Sequence, residues 1–162
     1  MIMNPRMSRQ CLMAMMILGL VGWAAASPAF AESVTFKVLA IRATNEEKPH
    51  IDPELEPVKD ALTLFHYNSF RVAAKQRVAA ETGKTTEAAL MEDYAVRLEP
   101  QEVTEKGVKV VATTVVYEKD AEGKRVARVL ERATMTIRKG KYLLRGGWGL
   151  KKGVLITLVA AE

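Results

Sequence analysis

A histidine and two carboxylates alternate along the segment His50-Ile51-Asp52-Pro53-Glu54. Side chains two residues apart share a face of an extended chain, and imidazole and carboxylate groups are ligands for divalent metals. Asp52-Pro53-Glu54 is also a typical helix start, in which Asp52 caps the first N–H groups and Glu54 suits the helix dipole. His66 follows about 13 helical residues later, too far away to complete a site with His50. We favour the helix start and predict no metal site.

The serines offer no recognisable nucleophile. Ser33 and Ser69, the two that follow residue 31, lie outside any G-x-S-x-G elbow. Ser69 comes three residues after His66, a spacing typical of local hydrogen bonds in a turn. Gly146-Gly147-Trp148-Gly149 lacks the Lys-Ser/Thr pair and the following helix of a phosphate-binding loop. The sequence therefore predicts a domain with neither catalytic activity nor cofactor, and an unrecognised small hydrolase stays an alternative.

Charge is unevenly distributed along the chain. Residues 132–161 contain seven basic residues and no acid, whereas residues 45–60 contain six acids and two lysines. Tyr142 and Trp148 lie within the basic part, and the glycines around Trp148 predict an exposed loop. Aromatic rings flanked by Lys and Arg can bind an anionic glycan, a lipid headgroup or an acidic protein surface. The candidate binding surface consists of Arg138, Lys139, Lys141, Tyr142, Arg145, Trp148, Lys151 and Lys152.

A plainer interpretation applies to the same residues. Basic side chains commonly occupy solvent-exposed faces and hairpin turns, where they prevent edge strands from pairing with other chains. In that case Trp148 covers an open end of the core and binds nothing.

The first 31 residues have the composition of a cleavable secretory signal peptide. They lack acids, begin with Arg6 and Arg9, continue with the apolar run 11–26 and end in Ala29-Phe30-Ala31. An uncleaved membrane anchor is the alternative, but the run of 16 residues is shorter than the roughly 20 that cross a bilayer. We therefore expect cleavage after Ala31 and export by the general secretory route to the periplasm or the exterior. Because export separates the protein from nucleic acid, we predict no nucleic-acid partner.

Residues 32–162 carry 22 basic and 19 acidic side chains, and the chain's one cysteine, Cys11, precedes them. This part of the chain therefore has no disulfide and no cysteine-ligated metal. At 131 residues it is long enough for one domain with a core of its own.

Alternating apolar residues predict mostly strands after the signal. Leu55, Val58, Leu62 and Phe65 instead form one apolar helical face, which predicts a helix from Pro53 to about His66. In the predicted strand Arg125–Arg138, Glu131 interrupts the apolar face, which indicates a bulge or a change of sheet. The last strand is apolar throughout, as expected for a central strand buried on both faces. The predicted strands are Val34–Thr44, Phe70–Ala80 (where alanines leave a helix as the alternative), Tyr94–Glu99, Val108–Tyr117, Arg125–Arg138, Tyr142–Leu144 and Val154–Val159.

Strands at about ten-residue spacing with glycine turns predict a small antiparallel β-sandwich or partly closed barrel, mainly β with one helix. The order of an exported start, an N-terminal strand, IDPELEPVKDAL, YNSFRV and a hairpin-rich tail ending GGWGLKKGVLITL resembles small exported bacterial proteins of unassigned function. The resemblance supports a β-domain with Ser69–Ala80 as a strand, and it implies no activity.

The function that we predict is a non-catalytic exported module of the cell envelope that binds another protein, as an accessory of a larger assembly. The alternative is direct binding of an anionic envelope polymer or membrane surface through residues 138–152. Salt separates the two hypotheses, because screening weakens binding by lysines more than binding by an apolar interface.

Overall fold

The computed structural model describes residues 32–162, and the predicted signal peptide lies outside this range. The described chain consists of nine strands and one short region of helix. The helical region comprises the 3-10 turns Pro53–Val58 and Thr63–Phe65 around the four-residue α-helix α1, Lys59–Leu62. The strands are β1 Ser33–Thr44, β2 His50–Ile51, β3 Ser69–Glu81, β4 Thr86–Ala89, β5 Tyr94–Thr104, β6 Gly107–Lys119, β7 Arg125–Arg138, β8 Tyr142–Gly149 and β9 Val154–Ala161.

The strands form two sheets, as predicted. One has five strands in the order β2-β3-β1-β9-β8, and the other is a four-stranded meander, β4-β5-β6-β7. All neighbouring strands are antiparallel except β2 and β3, whose pairing is two residues long. The mainly β fold with one helix is therefore confirmed, and residues 69–81 are a strand.

The five-stranded sheet is covered on both faces. Phe36 and Val38 of β1 pack with Leu98 and Val110 of the four-stranded sheet, which forms the core between the sheets. The opposite face carries a second core, in which β1 and β9 pack against the helical region. Its members include Leu39, Ile41, Leu55, Leu62 and Ile156, all at most 1% exposed. The prediction that β9 is a central strand buried on both faces is confirmed.

The helical region occupies the predicted residues but is not one regular helix. Pro57 lies inside it, and proline lacks the N–H that an α-helical hydrogen bond needs at that position. The chain therefore starts as a 3-10 turn and becomes α-helical only at Lys59. Leu55, Val58 and Leu62 still point into the core, so the predicted apolar face is correct although the helix type is wrong.

The predicted irregularity at Glu131 is a bulge. Thr114 of β6 pairs with Glu131, whereas Val115 pairs with Val129, so Leu130 is an extra residue in β7. A second bulge lies after Pro100 in β5, where the sequence predicted the end of that strand. The prediction was wrong because proline is tolerated at bulges, and β5 continues to Thr104.

The predicted glycine loop is also wrong, because Gly146-Gly147-Trp148-Gly149 belongs to β8. Gly146 pairs with Ile156 and Trp148 with Leu155, so Gly147 is the bulged residue, with a φ of 101°. A Cβ atom on Gly146 would lie 2.5 Å from the Cα of Ile156. The glycines therefore allow a close approach of β8 to β9, and they do not form a loop.

We predict that Gly146→Ala lowers the free energy of unfolding by about 2 kcal/mol or more, because the backbone of β9 must move to admit the methyl group. Gly149→Ala, in the same motif, has open space around the new Cβ and should change stability by less than about 0.5 kcal/mol. Urea denaturation of both variants measures the difference. Equal losses would contradict the proposed close contact with β9.

Candidate functional site

The basic residues predicted as one surface lie at the two ends of β8. Arg138, Lys139, Lys141 and Tyr142 surround the turn before this strand, and Lys151 and Lys152 follow it. The eight residues of β8 span about 25 Å at about 3.3 Å per residue. Two separate groups of exposed lysines therefore replace the single predicted patch.

The group before β8 is itself divided. Lys139 lines a cavity of about 240 Å³ at the end of the sandwich, together with Glu105 and Glu162. Lys141 and Tyr142 line a different depression, of about 270 Å³, beside Pro57 and Asp60 of the helical region. Neighbours in the sequence thus face different sides of the domain.

Arg145 and Trp148 point inward and do not belong to either group. Arg145 forms an ion pair with Glu131 of β7, and its side chain is 12% exposed. Trp148 packs against the core between the sheets, because the bulge at Gly147 places it on the same face as Leu155. The expectation that Trp148 is exposed in a loop is therefore wrong. The Arg145–Glu131 pair links β8 of one sheet to β7 of the other.

His50 and Asp52 lie side by side, as their spacing predicted. The Nε2 atom of His50 is 2.7 Å from Oδ1 of Asp52, and the backbone N–H of Val72 donates to Oδ2 over 2.7 Å. The hydrogen bond from Val72 and the contact with His50 lower the pKa of Asp52. Its side chain makes no helix cap, so that prediction is wrong, and its backbone oxygen instead accepts the Leu55 N–H.

Glu54 points away from the His50–Asp52 pair. It binds Lys75 and lies 3.6 Å from Lys37, and its pKa is lowered chiefly by the Lys75 hydrogen bond. Within residues 32–162 no group of three His, Cys, Asp or Glu side chains has the geometry of a metal site. Through Asp52 and Glu54, the segment links the start of the helical region to Val72 and Lys75 of β3.

His66 and Ser69 are oriented differently. His66 is exposed in a left-handed conformation, with a φ of 54°, and Ser69 is fully buried at the start of β3. No hydrogen bond joins the two side chains in the described part of the chain. The arrangement is that of a structural turn.

A polar network that the sequence did not reveal lies on the outer face of the four-stranded sheet, the face turned away from the other sheet. Glu87 of β4 is paired with Arg97 of β5, and its Oε2 lies 2.7 Å from the Arg97 Nε. The Tyr117 hydroxyl of β6 is 2.8 Å from both Glu87 oxygens and 3.2 Å from Arg97 Nη2. Arg125 of β7 stacks over the Tyr117 ring, 4.1 Å from its centre.

The network fixes the charge of Glu87. Burial alone would raise the pKa of this carboxyl group, but the hydrogen bonds from Arg97 and Tyr117 outweigh burial and lower it. The hydrogen bonds from Glu87 and Tyr117 raise the pKa of Arg97. Because the pKa of Glu87 is lower in the folded than in the unfolded state, its ionisation stabilises the fold at pH values above the unfolded-state pKa. This stabilisation is lost as the pH falls through the folded-state pKa. Glu87 and Arg97 are therefore both charged at neutral pH.

Beside the network the same face has a depression of about 290 Å³. Strands β5, β6 and β7 and the residue before β4 all contribute to it. Val111 and Val129 supply its apolar lining. Its polar lining consists of Thr85, Arg97, Glu99, Thr113 and Arg132.

The predicted strand Tyr94–Glu99 is confirmed, and Arg97 and Glu99, two positions apart, share its outer face. The sequence pattern could not predict that Glu87 and Tyr117 contact Arg97, because those contacts depend on the register of β4 and β6 against β5. A turn of different length would change which side chains meet.

Comparisons of the chain with protein-family models, with curated protein sequences and with solved structures found no match. The resemblance to small exported bacterial proteins therefore stays a prediction. The fold defines the molecule as a two-sheet β-domain, and its function has to be inferred from the surfaces described above.

We predict that Tyr117→Phe raises the pKa of Glu87 relative to the unchanged protein, because one of the two hydrogen bonds that stabilise the carboxylate is lost. Tyr142→Phe, which changes a tyrosine on another surface, is the control and should leave that pKa unchanged. Titration of the Glu87 carboxyl carbon by NMR measures both. An unchanged pKa in Tyr117→Phe would show that Arg97 alone sets it.

Proposed function

We propose that this domain is an exported, non-catalytic module of the cell envelope that binds another protein through the free edge of β7. The long, partly apolar edge of that strand is the observation that carries the proposal. An accessory role in a larger assembly agrees with a surface of this kind, because an edge strand can accept a strand from a partner.

β7 is 14 residues long and lies at the end of its sheet. It pairs with β6 on one side, and no strand of the described chain pairs with its other side. Two of its side chains, Val126 and Val129, are 39% and 54% exposed. Backbone groups along such an edge supply affinity for an added strand, and the exposed valines supply apolar contact.

The other edges are less suited to pairing. β2 has two residues and β4 has four, and the backbone oxygen of Ala89 at the end of β4 already accepts a hydrogen bond from Gln76. β8, at the end of the five-stranded sheet, has eight residues against the 14 of β7. Only β7 offers a long edge among residues 32–162.

The charge of β7 indicates what kind of strand it accepts. The strand carries four arginines, at positions 125, 128, 132 and 138, and one acid, Glu131. A second copy of β7 would place like charges near one another, which disfavours self-pairing. The same arginines and the bulge at Leu130 also limit unselective pairing. We therefore propose a partner strand rich in Asp and Glu.

Export is part of the same proposal. The predicted signal peptide, residues 1–31, supports it. No helix among the described residues is long and apolar enough to cross a membrane.

Binding of an anionic polymer or membrane through residues 138–152 is less well supported. The lysines lie in two groups at opposite ends of β8, about 25 Å apart at about 3.3 Å per residue, so a single headgroup cannot contact both. Arg145 and Trp148 face the interior, where they cannot meet a ligand of that surface.

Photo-crosslinking in intact cells tests the proposed edge. A photoreactive amino acid at position 126, on β7, should give one recurring protein adduct, identified by mass spectrometry. The same amino acid at position 64, where Leu64 is 75% exposed in the helical region, should give none of that adduct. Because the partner is expected to be acidic, Arg128→Glu should reduce the adduct several-fold.

Recurrence of the same adduct at position 64, or adducts only with lipid or polymer at position 126, would contradict binding at the β7 edge. Position 126 is 39% exposed, so we expect the substituted protein to fold. Circular dichroism of each variant checks this.

A further inference from the structure

The depression on the outer face of the four-stranded sheet combines three kinds of lining group. Arg97 and Arg132 supply positive charge, Thr85 and Thr113 supply hydroxyl groups, and the two valines supply an apolar surface. Its volume of about 290 Å³ lies just below the range of about 300–1,000 Å³ found for small-molecule sites. One compact, polar ring fits such a site better than a larger ligand does.

The two arginines differ in their availability. Arg97 is bound by Glu87 and Tyr117, which fix its guanidinium group in place. Arg132 takes part in none of the ion pairs found within residues 32–162, although it lines the depression. A guanidinium group without a carboxylate partner is well suited to bind the planar carboxylate of a ligand in a bidentate manner.

Glu99 would repel a simple anion, but its orientation is fixed within the protein. Its Oε1 accepts a 2.6 Å hydrogen bond from Gln101, and its Oε2 accepts one from Thr85 over 3.3 Å. Carboxylate oxygens have further capacity as acceptors, and they accept hydrogen bonds from hydroxyl groups readily. A ligand that carries hydroxyl groups as well as one carboxylate therefore uses both Arg132 and Glu99.

We propose that this depression binds an acidic sugar unit, that is, a hexuronate ring with one carboxylate and several hydroxyl groups. Arg132 binds the carboxylate, Glu99 and Thr113 bind ring hydroxyls, and Val129 contacts the C–H face of the ring. The unit comes either from a free acidic sugar or from an anionic envelope polysaccharide. The site lies on the outer face of the sheet and shares Val129 and Arg132 with the partner-binding edge of β7.

The test is an NMR titration of the ¹⁵N-labelled exported protein with sodium galacturonate, with galactose and acetate as the comparison ligands. Galacturonate should shift the amide signals of Thr85, Thr113 and Val129 in a saturable way. Galactose lacks the carboxylate and acetate lacks the hydroxyls, so both should bind at least about tenfold more weakly, as expected for the loss of one charge-assisted contact.

Arg132→Gln should weaken galacturonate binding about tenfold, because the carboxylate loses its charged partner. Arg138→Gln is the matched control: it removes the same charge from the same strand and the same face, six residues farther along. Equal weakening by both variants would show attraction to the net charge only. Acetate binding as tight as that of galacturonate, or the absence of saturable shifts, would also overturn the proposal.

A trisaccharide of galacturonate separates the two sources. Tighter binding than the monosaccharide, with shifts that extend beyond the depression, supports a unit of an envelope polymer. Equal affinity with the same set of shifted signals supports a free acidic sugar. The result is independent of the crosslinking at position 126, so the sugar site and the protein-binding edge can fail separately.

Discussion

The two central strands of the five-stranded sheet, β1 and β9, must be buried on both faces, and the rest of the fold follows from this requirement. Leu155 and Val159 of β9 face the core between the sheets, whereas Ile156 and Leu158 face the helical region. Removal of each such side chain from water contributes roughly 1.5–3 kcal/mol. Neither face can be left open, so the helical region covers one and the four-stranded sheet covers the other.

This arrangement leaves the outer face of the four-stranded sheet as the one broad sheet surface among residues 32–162 that carries a polar network. Its central positions are nonetheless well covered, since Ala95 and Val115 are at most 2% exposed. The two residues are paired and lie on the same face as Arg97 and Tyr117. The polar network is thus built around a small buried patch. Among the residues that line the depression, Arg97 is fixed in this way, so little conformational entropy is lost when a ligand contacts it.

The sequence predicted the strands, the two-sided burial of β9 and the bulge near Glu131 because each depends on local alternation. It could not predict the partner of Glu131, because that partner, Arg145, lies on the other sheet. The same limit applies to Trp148. One bulged glycine moves it to the inner face, and no pattern of residue types shows whether a glycine pair forms a loop or a bulge. Facing within a regular strand was therefore predictable, whereas the bulge at Gly147 and the contacts between strands were not.

The positions of the charged residues of the candidate site in space could not be predicted for the same reason. The seven basic residues among residues 132–161 suggested one surface. The turns before and after a hairpin strand lie at opposite ends of the sheet, however, so charges that are close in the sequence are distant in space. Conversely, Glu87, Arg97, Tyr117 and Arg125 are spread over four strands and meet on one face. A meander brings together residues about one hairpin apart, and the register of each pair decides which of them meet.

The bulge at Leu130 connects the edge of β7 with the depression on the outer face. Before the bulge Val129 faces outward, and two residues after it Arg132 does so as well, so both line the depression. In a regular strand Val129 and Arg132, three positions apart, would face opposite sides of the sheet. Val129 and Glu131, two positions apart, would share a face in a regular strand, so Glu131 could not point inward to Arg145 while Val129 points outward. The bulge at Leu130 therefore allows Val129 to line the depression on one face and Glu131 to link the two sheets on the other.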